Sequence, residues 1–199
     1  MKVILRTAWM AVAALQLHTP PAKAERLDPP PQSVMFFGGA MVDENMHEAA
    51  NVFGADYENN ALIGIGYQTL PIRLEPFSFG LEAGIAGRFG SNTTAELWGG
   101  FVGRHDGFQL GPVRFSQSFT FGISHVTNSQ KGRERDHEEE RDGNARTLFY
   151  LAPELSLSTE TLPDTEVFWR LHHRSGAWGT LGGMHGGSNA NVIGIRRKF

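Results

Sequence analysis

Arg114-Phe115-Ser116-Gln117-Ser118-Phe119-Thr120-Phe121-Gly122-Ile123-Ser124-His125 is the stretch that decides the fold. Its odd positions, Phe115, Gln117, Phe119, Phe121 and Ile123, make one largely apolar face. Its even positions, Arg114, Ser116, Ser118, Thr120, Gly122 and Ser124, make a small, polar one. A period of two is the signature of a β-strand, whose successive side chains point to opposite faces. A water-soluble barrel or sandwich turns the polar face outward. A membrane barrel turns the apolar face to lipid and the polar face to its lumen.

Outward from this stretch, similar alternation recurs at about 33–42, 60–70, 77–89, 94–104, 113–126, 146–158, 165–175 and 190–199. An even count suits a bacterial outer-membrane barrel, and eight is the smallest common size. The first, fifth and seventh connections (43–59, 127–145 and 176–189) are long, and the second, fourth and sixth (71–76, 105–112 and 159–164) are short. That is the pattern of short periplasmic turns and longer extracellular loops, broken only by a short third connection at 90–93. The predicted fold is therefore all-β, an eight-stranded antiparallel transmembrane β-barrel. Phe199, with Ile195 and Ile193 at matching parity behind it, gives the last strand the terminal aromatic pattern of such barrels.

The N-terminus carries an address. Lys2 and Arg6 flank the start of an apolar run from Ala8 to Leu15, and Ala22-Lys23-Ala24 supplies an A-x-A cleavage site after Pro20 and Pro21. This is the layout of a secretory signal peptide over 1–24, followed by a barrel domain over 25–199 in the Gram-negative outer membrane. No later apolar run reaches the roughly 20 residues of a transmembrane helix, so entry into a membrane requires a barrel. Many of the 24 glycines fall inside apolar stretches, where a helix would lose stability. Cysteine is absent, which excludes disulfides and thiolate metal sites. A net charge of −3 without a basic face gives no reason to expect nucleic-acid binding.

Two regions bear on chemistry. The fifth connection, Asn128 to Asp142, is densely charged with mixed sign. It reads as a solvated loop, or as one whose cations touch lipopolysaccharide phosphates, with divalent ions bridging to its acids. The seventh strand is Val167-Phe168-Trp169-Arg170-Leu171-His172-His173-Arg174-Ser175. Alternation groups Phe168, Arg170, His172 and Arg174 toward the lumen, where Glu82, Glu96 and Glu154 are the expected partners of the arginines. Val167, Trp169, Leu171, His173 and Ser175 then face lipid. Residues two apart on one strand face have Cβ atoms roughly 6–7 Å apart, so an imidazole nitrogen can reach a hydroxyl and act as its base. Trp98, Trp169, Tyr67 and Tyr150 are expected in the interfacial girdle. His185 has no second ligand at suitable spacing, so neither a metal nor another cofactor is expected.

His173-Arg174-Ser175 in a late strand resembles the His-x-Ser motif of the outer-membrane lipid A 3-O-deacylases. Arg170-Leu171-His172-His173-Arg174-Ser175-Gly176 and Gly187-Ser188-Asn189-Ala190-Asn191-Val192-Ile193-Gly194 are similar to the acyloxyacyl hydrolase-related branch of that family. The resemblance implies Ser175 as nucleophile, His173 as its base, and the ester-linked 3-acyl chain of lipid A as target. Partners would be lipopolysaccharide and the outer-membrane bilayer, with a homodimer left open. The chain departs from the family in having no Asp or Glu after Ser175, where the family places its acidic member. Asn189 is the candidate orienting or oxyanion residue in its stead. The alternatives are a non-catalytic structural or adhesive barrel on the same scaffold, and a soluble periplasmic lipocalin-like binder.

Overall fold

The computed structural model describes residues 24–28 and 31–199. The expected signal peptide lies outside the described residues, apart from Ala24. A two-residue strand, β1 (Glu25–Arg26), precedes eight barrel strands: β2 (Gln32–Val42), β3 (Tyr57–Leu74), β4 (Phe77–Phe89), β5 (Thr94–Leu110), β6 (Val113–Val126), β7 (Thr147–Thr159), β8 (Leu162–Ser175) and β9 (Gly187–Lys198). Neighbours in sequence pair antiparallel from β2 to β9, and β9 pairs back onto β2, closing the sheet. Gln32 and Phe199 exchange backbone hydrogen bonds of 3.3 and 3.0 Å where the first and last strands meet.

The turns at 75–76, 111–112 and 160–161 are two residues long, tighter than the sequence suggests, because β3 and β5 run past the residues that signalled turns. Pro71 lies where the register of β3 against β4 shifts, between Thr69 and Ile72. Gly107 lies in the shift of β5 against β6, between His105 and Phe108, with φ of 95°. A bulge absorbs a residue that cannot donate to the ladder, or one needing a left-handed backbone, without ending the strand.

The alternation of β6 falls as its face pattern requires. Phe119, Phe121 and Ile123 are exposed, and Ser116, Thr120 and Ser124 are buried. Phe36, Ile63, Leu81, Ile85, Leu97, Phe101, Ile193 and Ile195 extend the apolar belt around the outside. A soluble lipocalin-like binder would carry the opposite polarity, so that reading is excluded.

The lumen is filled with paired charge. Arg170 binds Glu82 at 2.7 and 2.8 Å and Glu154 at 2.7 and 3.0 Å. Arg196 bridges Glu154 at 2.7 Å and Glu166 at 3.0 Å, and Arg104 binds Glu166 at 2.6 Å. His172 Nε2 lies 2.9 Å from Glu96. Such ions are tolerable inside a barrel only because nearly every one has a counter-ion. Trp98 and Tyr150 are inside with them, at 1% and 0% exposure, so neither belongs to the girdle. The Trp98 indole N–H donates to Glu82 at 3.1 Å, which draws the ring inward. The absence of a side chain at Gly84 makes room for it, since a Cβ there would overlap the indole. Tyr67, by contrast, is exposed on the outer face.

The charged fifth connection is a cap, not a solvated loop. Within it, α2 (Arg133–Glu140) sends Glu134 into the end of the lumen. There its carboxylate accepts from Arg88 at 2.6 Å, from Arg174, and from the Gln130 N–H at 2.7 Å. The short third connection is the seat of this cap. Asn92 bonds Ser129 O at 3.1 Å and Lys131 N at 2.8 Å, so a longer 90–93 turn would occupy the place where the cap docks.

Candidate active site

On β8 the inner set Phe168, Arg170, His172 and Arg174 is buried, while Val167 on the outer set is exposed. His173 and Ser175 share the outer parity and lie at the loop end of the strand, as the sequence pattern anticipates. The outer face is not bare there. The first connection folds down over it, carrying α1 (Met46–Ala49). Ala49 packs with Val42 and Leu171, with Met46, Ala55 and Trp169 around them.

Two asparagines fasten this strap. Asn189 and Asn191 share the lipid-facing parity of β9 with Ile193 and Ile195, a place where a primary amide facing lipid would be costly. Asn191 donates to Ala49 O at 2.9 Å and accepts from Trp169 Nε1 at 3.1 Å. Asn189 donates to Glu44 O at 2.6 Å.

The second contact of Asn189 matters more. It stands directly across the ladder from His173, and its Oδ1 lies 2.6 Å from His173 Nδ1. Because the Asn189 amide nitrogen is committed to Glu44 O, its oxygen faces the ring, and Nδ1 must carry the proton. In the neutral ring this leaves Nε2 as the nitrogen free to take a proton. Among the described residues no carboxylate bonds His173, so the acid absent from the sequence after Ser175 is not replaced from a neighbouring strand.

Ser175 stands across from Gly187, where any Cβ would strike the Arg174 carbonyl, so glycine is required beside the hydroxyl. Ala177, Trp178 and Gly179 follow with φ of 47, 55 and 94°. Two consecutive non-glycine residues in the left-handed region are a strained arrangement of the kind found at functional sites. The turn brings the Ala177 N–H onto Ser175 Oγ at 3.1 Å. Among the described residues, nothing accepts from the Trp178 N–H. His173 and Ser175 are not hydrogen-bonded to each other in this arrangement.

Both residues open into a groove of about 640 Å³, within the usual range of small-ligand sites. Phe121, Phe149 and Leu151 of the barrel exterior form its apolar side, Asn45, Met46 and His47 of the strap form the facing wall, and Arg133, Trp178 and His185 complete it. The strap, Arg133 and Trp178 are contributions the sequence reading missed. The available signals were the polar asparagines at lipid-facing positions and the capping box Asn45-x-x-Glu48 that starts α1.

No protein-family model and no curated protein matches the chain. Solved structures do resemble it. The outer membrane enzyme PagL superimposes with a TM-score of 0.56 at 13% identity, over 83% of this chain and 98% of that one. Neisserial surface protein A gives 0.48 at 12% identity, over 85% and 96%. The N-terminal β-barrel domain of Pseudomonas aeruginosa OprF gives 0.47 at 10%, over 85% and 97%. At these identities the likeness is one of fold: this chain has the eight-stranded architecture of outer-membrane barrels.

Proposed function

We propose that this protein is an outer-membrane esterase that removes the ester-linked 3-acyl chain of lipid A, with Ser175 as nucleophile and His173 as general base. The observation that carries the reading is the position of the pair. His173 and Ser175 lie on the lipid-facing wall, in an apolar groove at the loop end, where an acyl chain of the outer leaflet runs beside the barrel. A fold shared with an outer membrane enzyme is consistent with this and adds no residue-level support.

In the reaction, Ser175 Oγ attacks the acyl carbonyl and its proton passes to His173 Nε2. The intermediate collapses by breaking the bond to the sugar oxygen, which takes the proton from Nε2. Water, deprotonated by the same nitrogen, then releases the fatty acid and restores Ser175. Asn189 Oδ1 holds the Nδ1–H throughout. It supplies orientation and no negative charge, so the imidazolium is less stabilised than beside a carboxylate. The Gly176 N–H is held by Gly186 O at 3.2 Å, so the N–H groups of Ala177 and Trp178 are the next donors along the chain for the developing oxyanion. For attack, Ser175 Oγ must leave the Ala177 N–H and turn to His173, a rearrangement of the kind catalytic hydrogen bonds undergo when substrate binds.

The test is mass spectrometry of lipid A from cells making the wild type, Ser175→Ala or His173→Asn, each shown folded in the outer membrane. Loss of one hydroxyacyl chain in the wild type alone is expected. The absence of a carboxylate at His173 favours a second reading, a non-catalytic structural or adhesive barrel. Unchanged lipid A in all three strains would select it.

A further inference from the structure

The catalytic pair accounts for one part of the groove and leaves its charge unexplained. Among the described residues, no Asp or Glu lines the groove, although acids outnumber Lys and Arg by 21 to 18 along the chain. The lining instead holds Arg133 and three histidines, His47, His173 and His185. A groove meant only for a hydrocarbon chain has no use for a guanidinium.

Arg133 is held there by the cap. Glu134, the next residue of α2, is fixed inside the lumen by Arg88 and Arg174. Consecutive helix residues diverge by about 100°, so anchoring Glu134 inward carries Arg133 over the rim. Its own backbone N–H is fixed by Glu58 Oε1 at 3.0 Å. The side chain is only 14% exposed, yet its five N–H donors are barely used. Nη2 donates to Asn45 Oδ1 at 2.9 Å, Nε has no partner, and the exposed Asp43 carboxylate lies 3.6 Å from Nη1, beyond a hydrogen bond. A largely buried guanidinium with donors to spare, paired only with the exposed Asp43 and set against a groove whose lining holds no Asp or Glu among the described residues, can take an anion. Its planar fork suits the oxygens of a phosphate.

We infer that Arg133 is the specificity residue of this groove, binding a phosphate on the headgroup of the lipid whose acyl chain lies across His173 and Ser175. The inference rests on the esterase reading for the identity of the lipid. It assigns to Arg133 the recognition of the substrate's polar end, while Phe121, Phe149 and Leu151 receive its apolar end.

Binding to the Ser175→Ala protein tests this without turnover. Trp178 lines the groove and is exposed, so its fluorescence reports occupancy. Phosphorylated lipid A is expected to bind at least about 10-fold tighter than the same lipid A stripped of its phosphates, the scale of a charge-assisted contact. Adding Arg133→Gln should collapse that preference to about threefold or less, and Arg133→Lys should retain part of it. Heat-modifiable gel migration establishes that each variant is folded. Inorganic phosphate alone should leave the fluorescence unchanged, because one guanidinium holds the anion only when the acyl chain is also in place. Saturation by inorganic phosphate would make this a free-anion site and overturn the headgroup assignment. A phosphate preference that survives Arg133→Gln, or no preference in the parent, would overturn the inference outright. Failure of the esterase reading appears separately, as unaltered lipid A in cells making the wild type.

Discussion

His172 and His173 are adjacent in sequence and opposite in circumstance. His172 faces the lumen with both ring nitrogens engaged: Nε2 is 2.9 Å from Glu96 and Nδ1 is 3.1 Å from the Tyr150 hydroxyl. His173 faces outward with Nδ1 on Asn189, and among the described residues nothing bonds its Nε2. The same contrast holds for the basic residues around them. Arg170 is enclosed by Glu82 and Glu154, whereas Arg133 keeps donors in reserve at the groove. Among the described residues, the lumen pairs its charges with one another, and the few donors left over, Arg88 Nη1 and Arg196 Nε, are buried away from the groove. The outer rim leaves a nitrogen, a hydroxyl and a guanidinium available beside an apolar surface. In the proposed reading, stability is built on one side of the wall and reactivity on the other.

The comparison can be broken at either face. The largest effect is expected from Ser175→Ala, which should lower lipid A hydrolysis by at least about 10³-fold with no change in the urea unfolding midpoint. On the inner face the consequence is reversed. Arg170→Met leaves Glu82 and Glu154 without their shared partner and should cost about 3–5 kcal/mol in unfolding free energy, measured by urea titration in detergent micelles. Asn189→Ala should reduce kcat by about 10–100-fold, because the imidazole loses its tautomer and its orientation while the barrel ladder stays intact. Asn191→Ala should act more weakly, raising KM several-fold as the strap loosens over Leu171. A KM unaffected by that change would mean that Asn191 fastens nothing the substrate feels.

Much of this arrangement is legible in the chain. The alternation of Phe119, Phe121 and Ile123 against Ser118, Thr120 and Ser124 settles the strand and which residues share a face, while the outward turn of the apolar face is settled by their exposure in the closed barrel. The same parity places His173 and Ser175 outward and Arg170 and Arg174 inward. What escapes is whatever depends on partners distant in sequence. Pro71 and Gly107 look like turns until the neighbouring strand makes them bulges. Trp98 and Tyr150 look like girdle residues by type, although their strand parity, shared with Glu96 and Glu154, already points them to the lumen where Glu82 and Arg170 bond them. The fifth connection looks solvated because nothing local distinguishes Glu134 from its charged neighbours, and only Arg88 and Arg174 make it an anchor. The strap over β8 is hidden for the same reason, although Asn189 and Asn191 on a lipid-facing stripe announce that something must cover them.

The central claim is that the outward histidine performs the chemistry and the inward one does not. Lipid A hydrolysis by His172→Asn and His173→Asn proteins, compared at equal folded fraction, measures this directly. The account predicts that His173→Asn loses activity by about 10³-fold or more, and that His172→Asn stays within a few-fold of wild type while unfolding at lower urea. Equal losses in the two variants, or loss confined to His172→Asn, would contradict it.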